Sequence, residues 1–321
     1  MRNILLILLR LAMIPRNSAS LLLLSSSLMT PPSLTTRLYP IALLLVAMAS
    51  IQTGASLAKG MFPLIGAQGT TALRLIFASL FMLILLRPWR ARLTWGTLRT
   101  VMIYGIALGC MNLLFYMSLR TVPLGIAVAL EFTGPLAVAI LASRRAVDFA
   151  WVALAVLGLL LLIPMGDAQA GIDPVGACYA LGAGVCWALY ILYGQKAGAD
   201  NGVQTAALGV MIAAVFIAPV GIAYAGTALL DLALIPTAIA VAVLSTALPY
   251  SLEMVALTRL PARTFGTLMS MEPAIGALSG LMFLHEVLST TQWLAIGAII
   301  TASIGATLTM RAEHPPTVAA D

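Results

Sequence analysis

Two glutamates and an arginine interrupt long apolar stretches of the sequence. Glu131 lies in GIAVALEFTGPLAVAI, Glu272 in LMSMEPAIG and Arg74 in TALRLIF. A charged side chain at the centre of a bilayer costs about 2.5–3.5 kcal/mol on insertion scales, so such residues usually face a cavity on the path of a substrate or an ion. A carboxylate can exchange a proton or bind an ammonium group, and a guanidinium can hold a carboxylate through two hydrogen bonds. We therefore predict that these three side chains bind protons and substrate.

Each of the three charges also has an explanation without a functional role. The two acids could be neutral structural residues that are hydrogen-bonded within the protein. Arg74 could pair with Glu131, or its long side chain could extend to the membrane surface. A proline stands close to each acid, and a proline frees a backbone carbonyl within a helix, where that carbonyl can bind a ligand. These two predicted helix breaks are at Pro135 and Pro273.

Further polar residues within the apolar stretches could line the same cavity. The candidates are Gln52, Asn112, Trp187, Tyr190, Tyr250 and Glu253. Each of them alone is more often a hydrogen bond between two helices than a ligand contact. For Glu253 an ion pair with Arg259 at the rim of the membrane is the simpler explanation.

The composition indicates which elements carry these residues. Of the 321 residues 61% are hydrophobic and only 9% are charged, against about 25% in a soluble domain. The mean hydropathy is +1.05, and the apolar runs have the length of about 20 residues that a helix needs to cross a bilayer. The sequence therefore predicts an all-α integral membrane protein with ten transmembrane helices. The predicted spans are 38–58, 66–86, 100–119, 122–142, 150–165, 174–195, 203–224, 234–256, 261–284 and 290–310.

The sequence also repeats itself with an offset of about 138 residues. The pairs at this separation, or one residue less, are Pro123 and Pro261, Pro135 and Pro273, Asp148 and Glu286, Asn112 and Tyr250, and Lys59 and Lys196. The repeat unit therefore holds five helices, and because five is odd, the second copy is inverted in the membrane. Inverted repeats are typical of transporters, whose substrate binds between the copies near the midplane.

This repeat defines the predicted domains. The segments are an extension at 1–36, two five-helix units at 37–165 and 174–310, and a cytoplasmic tail at 311–321. We expect the extension to be poorly ordered or to follow from a wrongly chosen start codon. An amphipathic anchor lying on the membrane surface is the alternative.

The positive charges predict the orientation, because cytoplasmic loops of membrane proteins carry an excess of Lys and Arg. With a cytoplasmic N-terminus and ten spans, the positive charges of the outer loops are Lys59 and Arg120, and Arg74 lies within a span. The inner segments then hold the other 14 of the 17 positive residues. We therefore predict that both termini lie in the cytoplasm.

The same orientation relates the two acids to each other. Glu131 and Glu272 would lie roughly 14 Å and 16 Å from opposite membrane edges, at about 1.5 Å per helical residue. Under the 138-residue offset, Glu131 corresponds to Met269, one helical turn before Glu272. Residues three positions apart share a helix face, so the acids are expected on similar faces of equivalent helices.

Other classes of function find little support in the sequence. The chain has no HExxH motif, no nucleophile elbow and no P-loop, and its two histidines are His285 and His314. The three cysteines lie within apolar segments without metal-binding spacing. The net charge of +6 follows from the loop arginines and does not indicate nucleic acid. We predict no enzyme activity, no cofactor and no metal.

Four long strings of the sequence are distinctive: IALLLVAMASIQTGASLAK, TVPLGIAVALEFTGPLAVAI, ALGAGVCWALYILYGQKAGA and AVLSTALPYSLEMVALTRLPARTFGTLMSMEPA. They resemble the EamA branch of the drug/metabolite transporter superfamily, and within it the bacterial exporters of threonine and homoserine. The resemblance runs from about residue 38 to residue 310. The chain departs from it at the extension and at His285, where relatives usually have Gly.

The resemblance implies a bacterial inner-membrane protein with ten helices in two five-helix units. It also implies the efflux of small amino acids driven by the proton gradient. Its expected partners are a small amino acid, protons and the lipid bilayer. The expectation for this chain is export of threonine and homoserine in exchange for protons. Two alternatives stay open at this point, namely an exporter of another small metabolite and a membrane enzyme or scaffold that transports nothing.

Overall fold

The structure is a computed structural model, and it describes residues 34–91, 93–141, 146–162, 173–201, 203–257 and 268–309. Within these ranges the chain forms α-helices joined by short turns, and it forms no strand. The helices are α1 (Leu34–Gly60), α2 (Phe62–Leu86), α3 (Trp95–Ser118), α4 (Leu124–Glu131), α5 (Thr133–Leu141), α6 (Ala146–Leu162), α7 (Pro174–Asn201), α8 (Val203–Ala225), α9 (Ile235–Ala242), α10 (Leu248–Leu257), α11 (Glu272–Leu284) and α12 (Thr290–Thr309).

Six stretches of helix are long and apolar enough to cross a membrane. They are Leu38–Gly60, Phe62–Leu86, Trp95–Ser118, Pro174–Gly194, Gln204–Leu230 and Leu232–Glu253. Large apolar side chains on their outer faces and on α6 are exposed, among them Ile84, Phe149 and Val215, each more than 70% accessible. A bilayer is the medium that would cover such a surface, so the helical membrane class predicted from the sequence is confirmed.

Three predicted spans correspond to shorter apolar helices in the described parts of the chain. The predicted spans at 122–142, 150–165 and 261–284 correspond to Leu124–Val138, Phe149–Gly158 and Glu272–Leu284. Residues 163–165 and 261–267 of these spans lie outside the described residues. The predicted extension likewise falls outside them up to residue 33, and α1 begins at Leu34, slightly before the predicted start of the first span.

The helices of the first half pack mainly on helices of the second half. Helix α3 packs on α7 and α8, α2 on α8, α1 on α10, α4 on α11, and α6 on α12. Small residues permit the closest approaches. A Cβ atom added to Gly125 of α4 would lie 2.5 Å from the Cα of Ala277 in α11, which is closer than real Cβ atoms come to backbone. The absence of a side chain at Gly125 therefore lets α4 and α11 touch.

Both acids lie at ends of helices. Glu131 is the last residue of α4, and Phe132 separates α4 from α5. Pro135 has no N–H to donate to the Glu131 carbonyl four residues back. Glu272 is the first residue of α11, which has Pro273 in its first turn. The sequence predicted Glu272 in the middle of a helix, and the difference arises because proline fits the first turn of a helix better than its interior.

Candidate functional site

Arg74 of α2 points into the protein interior, where only 4% of its surface is accessible. Its Nη1 donates to Oγ of Ser245 at 3.2 Å, and its Nη2 donates to Oδ1 of Asn112. The guanidinium carbon lies 4.6 Å from the centre of the Tyr116 ring, within the range of a cation–π contact. These contacts exclude the alternative in which Arg74 extends to the membrane surface.

The two polar partners of Arg74 are themselves held by backbone groups. Nδ2 of Asn112 donates to the Leu108 carbonyl at 2.7 Å, so its Oδ1 faces the guanidinium. Oγ of Ser245 donates to the Val241 carbonyl at 2.6 Å. Ser245 lies in a π-helical turn, Val243–Ala247, between α9 and α10. Such turns are rare and occur often at functional sites.

Among the described residues, the guanidinium of Arg74 pairs directly with no acid. Among the residues that the structure describes, no carboxylate oxygen lies within 4.0 Å of an Arg74 nitrogen, and its Nε atom is buried without a hydrogen-bond acceptor. The alternative in which Arg74 forms an ion pair with Glu131 is therefore not seen in this conformation. A buried guanidinium with neutral partners and an unused N–H can donate hydrogen bonds to the carboxylate of a ligand.

The two acids are buried beside this arginine. Glu131 and Glu272 are 7% and 4% accessible. Glu131 lies close enough to Glu272 for their charges to repel, and close enough to Arg74 for attraction. Nε2 of Gln52 approaches Oε1 of Glu272 at 3.5 Å, whereas Oε2 of Glu272 and Oε1 of Gln52 are buried without partners among the described residues. Each acid can thus bind a proton or, when ionised, an ammonium group.

The backbone around Glu131 also bears on the site. Pro135 leaves the Glu131 carbonyl without its usual helical donor. A Cβ atom added to Gly184 of α7 would lie 2.7 Å from that carbonyl oxygen, so a larger residue at this position would meet it. The Trp187 ring, one turn further along α7, packs edge-on against Phe132 with ring centres 5.5 Å apart. Helix α7 therefore closes over the break between α4 and α5.

Three cavity candidates remain, namely the aromatic residues Tyr190 and Tyr250 and the acid Glu253. Tyr190 stacks on Tyr104 with ring centres 4.9 Å apart, and Tyr250 lies beside Asn112. Glu253 is half-buried and lies near enough to Glu272 for their charges to repel. Its predicted partner Arg259 lies outside the described residues.

The structure thus brings together most of the residues singled out in the sequence. Arg74 and the acids Glu131 and Glu272 form the centre of the cluster. The polar candidates Gln52, Asn112, Tyr250 and Glu253 adjoin that centre, and Tyr190 and Trp187 reach it through aromatic contacts. The two predicted helix breaks are alike, because Pro135 is the third residue of α5 and Pro273 is the second residue of α11, so each lies in the first turn of a helix.

Sequence reasoning missed three residues of this cluster, namely Ser245, Tyr116 and Tyr104. Serine and tyrosine are ordinary in apolar helices, so their types gave no signal.

In the parts of the chain that are described, no group of three or more His, Cys, Asp or Glu residues could hold a metal ion.

Comparison with known proteins relates the chain to membrane transporters. The model of the EamA-like transporter family matches residues 174–308. The threonine/homoserine exporter RhtA of Escherichia coli (strain K12) is 61% identical over 274 residues, which are 85% of this chain and 93% of that protein. The exporter of the same name from Salmonella typhimurium (strain SL1344) is 60% identical over the same lengths.

More distant relatives extend the comparison to fold. The uncharacterized transporter YwfM of Bacillus subtilis (strain 168) is 26% identical over 209 residues, which cover 62% of this chain and 70% of that protein. A protein solved by crystallography superposes with a TM-score of 0.57 at 16% identity, over 84% of this chain and 97% of the solved chain. The identity and coverage of the two exporters establish that the chain belongs to the EamA-like transporter family.

Proposed function

We propose that this transporter exports threonine and homoserine from the cytoplasm in exchange for protons. Two relatives that are 60–61% identical are named as exporters of these amino acids. The observation that carries the chemical part is Arg74, a buried guanidinium with neutral partners and no carboxylate within 4.0 Å in the described ranges. A zwitterionic amino acid would complete this arrangement, with its carboxylate on Arg74 and its ammonium group on a neighbouring acid.

One site then serves the proton and the substrate in turn. Glu131 or Glu272 takes up a proton when the site faces the outside and releases it into the cytoplasm. The resulting carboxylate binds the ammonium group of the amino acid while Arg74 holds the substrate carboxylate. Release of the zwitterion to the outside leaves the acid free for the next proton. Because the acid cannot bind both at once, proton entry and substrate exit are coupled.

The proposed architecture has ten transmembrane helices in two inverted five-helix repeats, 37–165 and 174–310, with both termini in the cytoplasm of a bacterial inner-membrane protein. The asymmetry of the positive charges supports this orientation. The packing supports the two repeats. In the proposed repeat, α3 corresponds to the α9–α10 segment, and α1 corresponds to α7. The contact of α3 with α7 therefore predicts a contact of α1 with the α9–α10 segment, and α1 does pack on α10. The α2–α8 and α6–α12 contacts each map onto themselves.

Transport by the purified protein in proteoliposomes tests the proposal. We expect labelled threonine to move against its concentration gradient when a pH gradient is imposed, and unlabelled homoserine to compete with it. Liposomes without protein and liposomes with a proton ionophore are the controls. Threonine movement that is indifferent to the pH gradient would reject proton antiport, and no movement of either amino acid would reject the substrate assignment.

A further inference from the structure

One ion pair joins the two halves of the chain at the end of α1. Nζ of Lys59, in the last turn of α1, lies 2.6 Å from Oε1 of Glu286, two residues after α11. The two side chains are 25% and 14% accessible, so water screens this pair less than a surface pair. Lys196, which corresponds to Lys59 in the repeat, is exposed.

The Glu286 carboxylate also binds a third element. Its Oε2 accepts a hydrogen bond of 2.7 Å from the backbone N–H of Leu124, the first residue of α4. Helix α4 is eight residues long and ends at Glu131. One carboxylate thus holds together α1, the end of α11 and the helix that carries a proposed proton-binding acid.

The backbone after α11 is shaped to bring Glu286 to this position. His285 adopts a left-handed conformation with φ of 56°, and the N–H of Glu286 turns back to the Gly280 carbonyl at 3.1 Å. A Cβ atom at Gly280 would lie 2.5 Å from Oε2 of Glu286. Any larger residue at position 280 would therefore displace the carboxylate from α4.

A second polar contact lies one helical turn below the ion pair. Oγ of Ser56 lies 3.0 Å from Oγ of Ser279, and both side chains are buried. A further turn along α1, Gln52 reaches Glu272. The residues at 52, 56 and 59 share one face of α1, so a row of polar contacts leads from the acid site to the ion pair.

We propose that the Lys59–Glu286 ion pair, together with the hydrogen bond from the Leu124 N–H to Glu286, closes the outer end of the transport path. We call this pair the latch. The Ser56–Ser279 contact forms a second barrier, one helical turn closer to the acid site. The proposal rests on the proposed function and orientation, in which this end of the molecule faces the outside. The latch is closed in this structure. It must open for substrate to leave, and opening it also frees the first turn of α4.

Access to a cysteine placed at Ser279 measures the state of the latch. In a protein with Cys110, Cys178 and Cys186 replaced by alanine, Ser279→Cys is labelled in intact cells with a thiol reagent that does not cross membranes. We expect Lys59→Gln and Glu286→Gln each to increase the labelling rate about five-fold, the order that loss of one partly exposed ion pair would give. Glu286→Gln retains an oxygen for the N–H of Leu124 and so removes the charge alone.

Matched variants distinguish an effect of the Lys59–Glu286 ion pair from a general effect of changing a charge on this face of the protein. Lys59→Arg keeps the cation and should label at the parent rate. Arg120→Gln and Asp231→Asn, which remove other charges expected on the same face, should also do so. Parent rates in both Lys59→Gln and Glu286→Gln would overturn the proposal, as would a Lys59→Arg rate equal to that of Lys59→Gln. Labelling needs no substrate, so failure of the latch and failure of threonine transport are separate outcomes.

Discussion

A buried guanidinium is costly unless its N–H groups find acceptors, and at Arg74 those acceptors are neutral. Asn112 and Ser245 satisfy one nitrogen each, and the face of Tyr116 offers a weaker attraction. None of these partners balances the positive charge. Glu131 lies near enough to attract Arg74 but forms no ion pair with it, and we propose that the carboxylate of a transported amino acid binds this guanidinium directly.

The substitution Arg74→Lys tests this role. Lysine keeps the charge but replaces a planar two-pronged donor with a single point charge. We expect the half-saturating concentrations of threonine and homoserine to rise together by about tenfold, the order of one lost charge-assisted hydrogen bond. The measurement is initial uptake in proteoliposomes, with Arg120→Lys as a control for an exposed arginine. An unchanged affinity for both substrates would assign Arg74 a structural role.

The two acids are separable by substitution with glutamine, which keeps their size but cannot ionise. We expect Glu131→Gln to lose accumulation of threonine driven by a pH gradient, if Glu131 is the acid that carries the proton and Glu272 is its partner. Glu272→Gln should show a related but distinct defect, since Glu272 contacts Gln52 and Glu131 does not. Aspartate at either position should retain partial activity. Both variants are compared with Asp231→Asn at matched protein amounts. Normal accumulation in both glutamine variants would assign the two acids a structural role, and Glu253 would become the next candidate for the proton-binding acid.

At the scale of the helices, close packing sets the geometry of the site. Helix α4 carries Glu131 and packs on α11, which begins with Glu272. Their contact passes through Gly125 and Ala277, where no side chain larger than a methyl group separates the backbones. The distance between the acids therefore depends on small residues some two turns away.

The substitution Gly125→Ala should disturb that contact. The added Cβ meets backbone at Ala277, and overpacking of this kind costs about 1–3 kcal/mol. We expect a lower melting temperature in detergent and a slower pH-driven transport. Gly297→Ala in α12 is the matched control, since nothing lies within 4 Å of its added Cβ and alanine favours a helix interior. Equal melting temperatures for the two variants would show that α4 and α11 can separate without cost.

The start of α7 depends on Asp173. Its Oδ2 accepts hydrogen bonds from Oγ1 of Thr121 at 2.7 Å and from the N–H of Gly176 at 2.9 Å. These bonds, the one from Thr121 first, lower the pKa of Asp173 below its ordinary value. A carboxyl group with a lowered pKa in the folded state stabilises that state above its unfolded pKa. The stabilisation is lost as the pH falls through the lowered value.

The expected result is a pH-dependent difference in stability. The melting temperature of Asp173→Ala should lie below that of the parent by a constant amount between pH 5 and pH 7. The gap should narrow below about pH 4, near the ordinary pKa of an aspartate, as the parent loses its ionised cap. Thr121→Val removes one of the bonds and should give a smaller gap of the same pH dependence. A gap that widens in acid would contradict this account.

The sequence predicted the charged centre of the site but not the elements that shape it. Arg74, Glu131 and Glu272 stand out because charges within apolar segments are rare and costly. Ser245 gave no such signal, because its role depends on a π-helical turn that local preferences do not reveal. The start of α11 at Glu272 was missed because hydropathy continues across Pro273, so an apolar run does not mark where a helix begins.

For the molecule as a whole, composition was the most informative property. A chain with 9% charged residues cannot cover a soluble surface, and the described residues include six stretches of helix fit to cross a membrane. For 122–142, 150–165 and 261–284 the described residues hold shorter apolar helices, so the count of ten membrane-spanning helices stays a prediction. The two five-helix repeats stay a prediction, and the helix pairs α2 with α8 and α6 with α12, which the 138-residue offset relates, do pack on each other.

Orientation in the membrane is the last property that the sequence predicts, and it can be tested on the whole protein. Of the 17 positive residues, 14 fall in segments assigned to the cytoplasm, and this bias normally sets topology. In the same cysteine-free protein, Asp231→Cys should be labelled from outside intact cells by an impermeant thiol reagent, because it lies exposed in a predicted outer loop. Arg90→Cys, exposed in a predicted inner loop, should be labelled only after the membrane is opened. Because each cysteine serves as the control for the other, the reverse pattern would invert the orientation and place the Lys59–Glu286 latch on the cytoplasmic side.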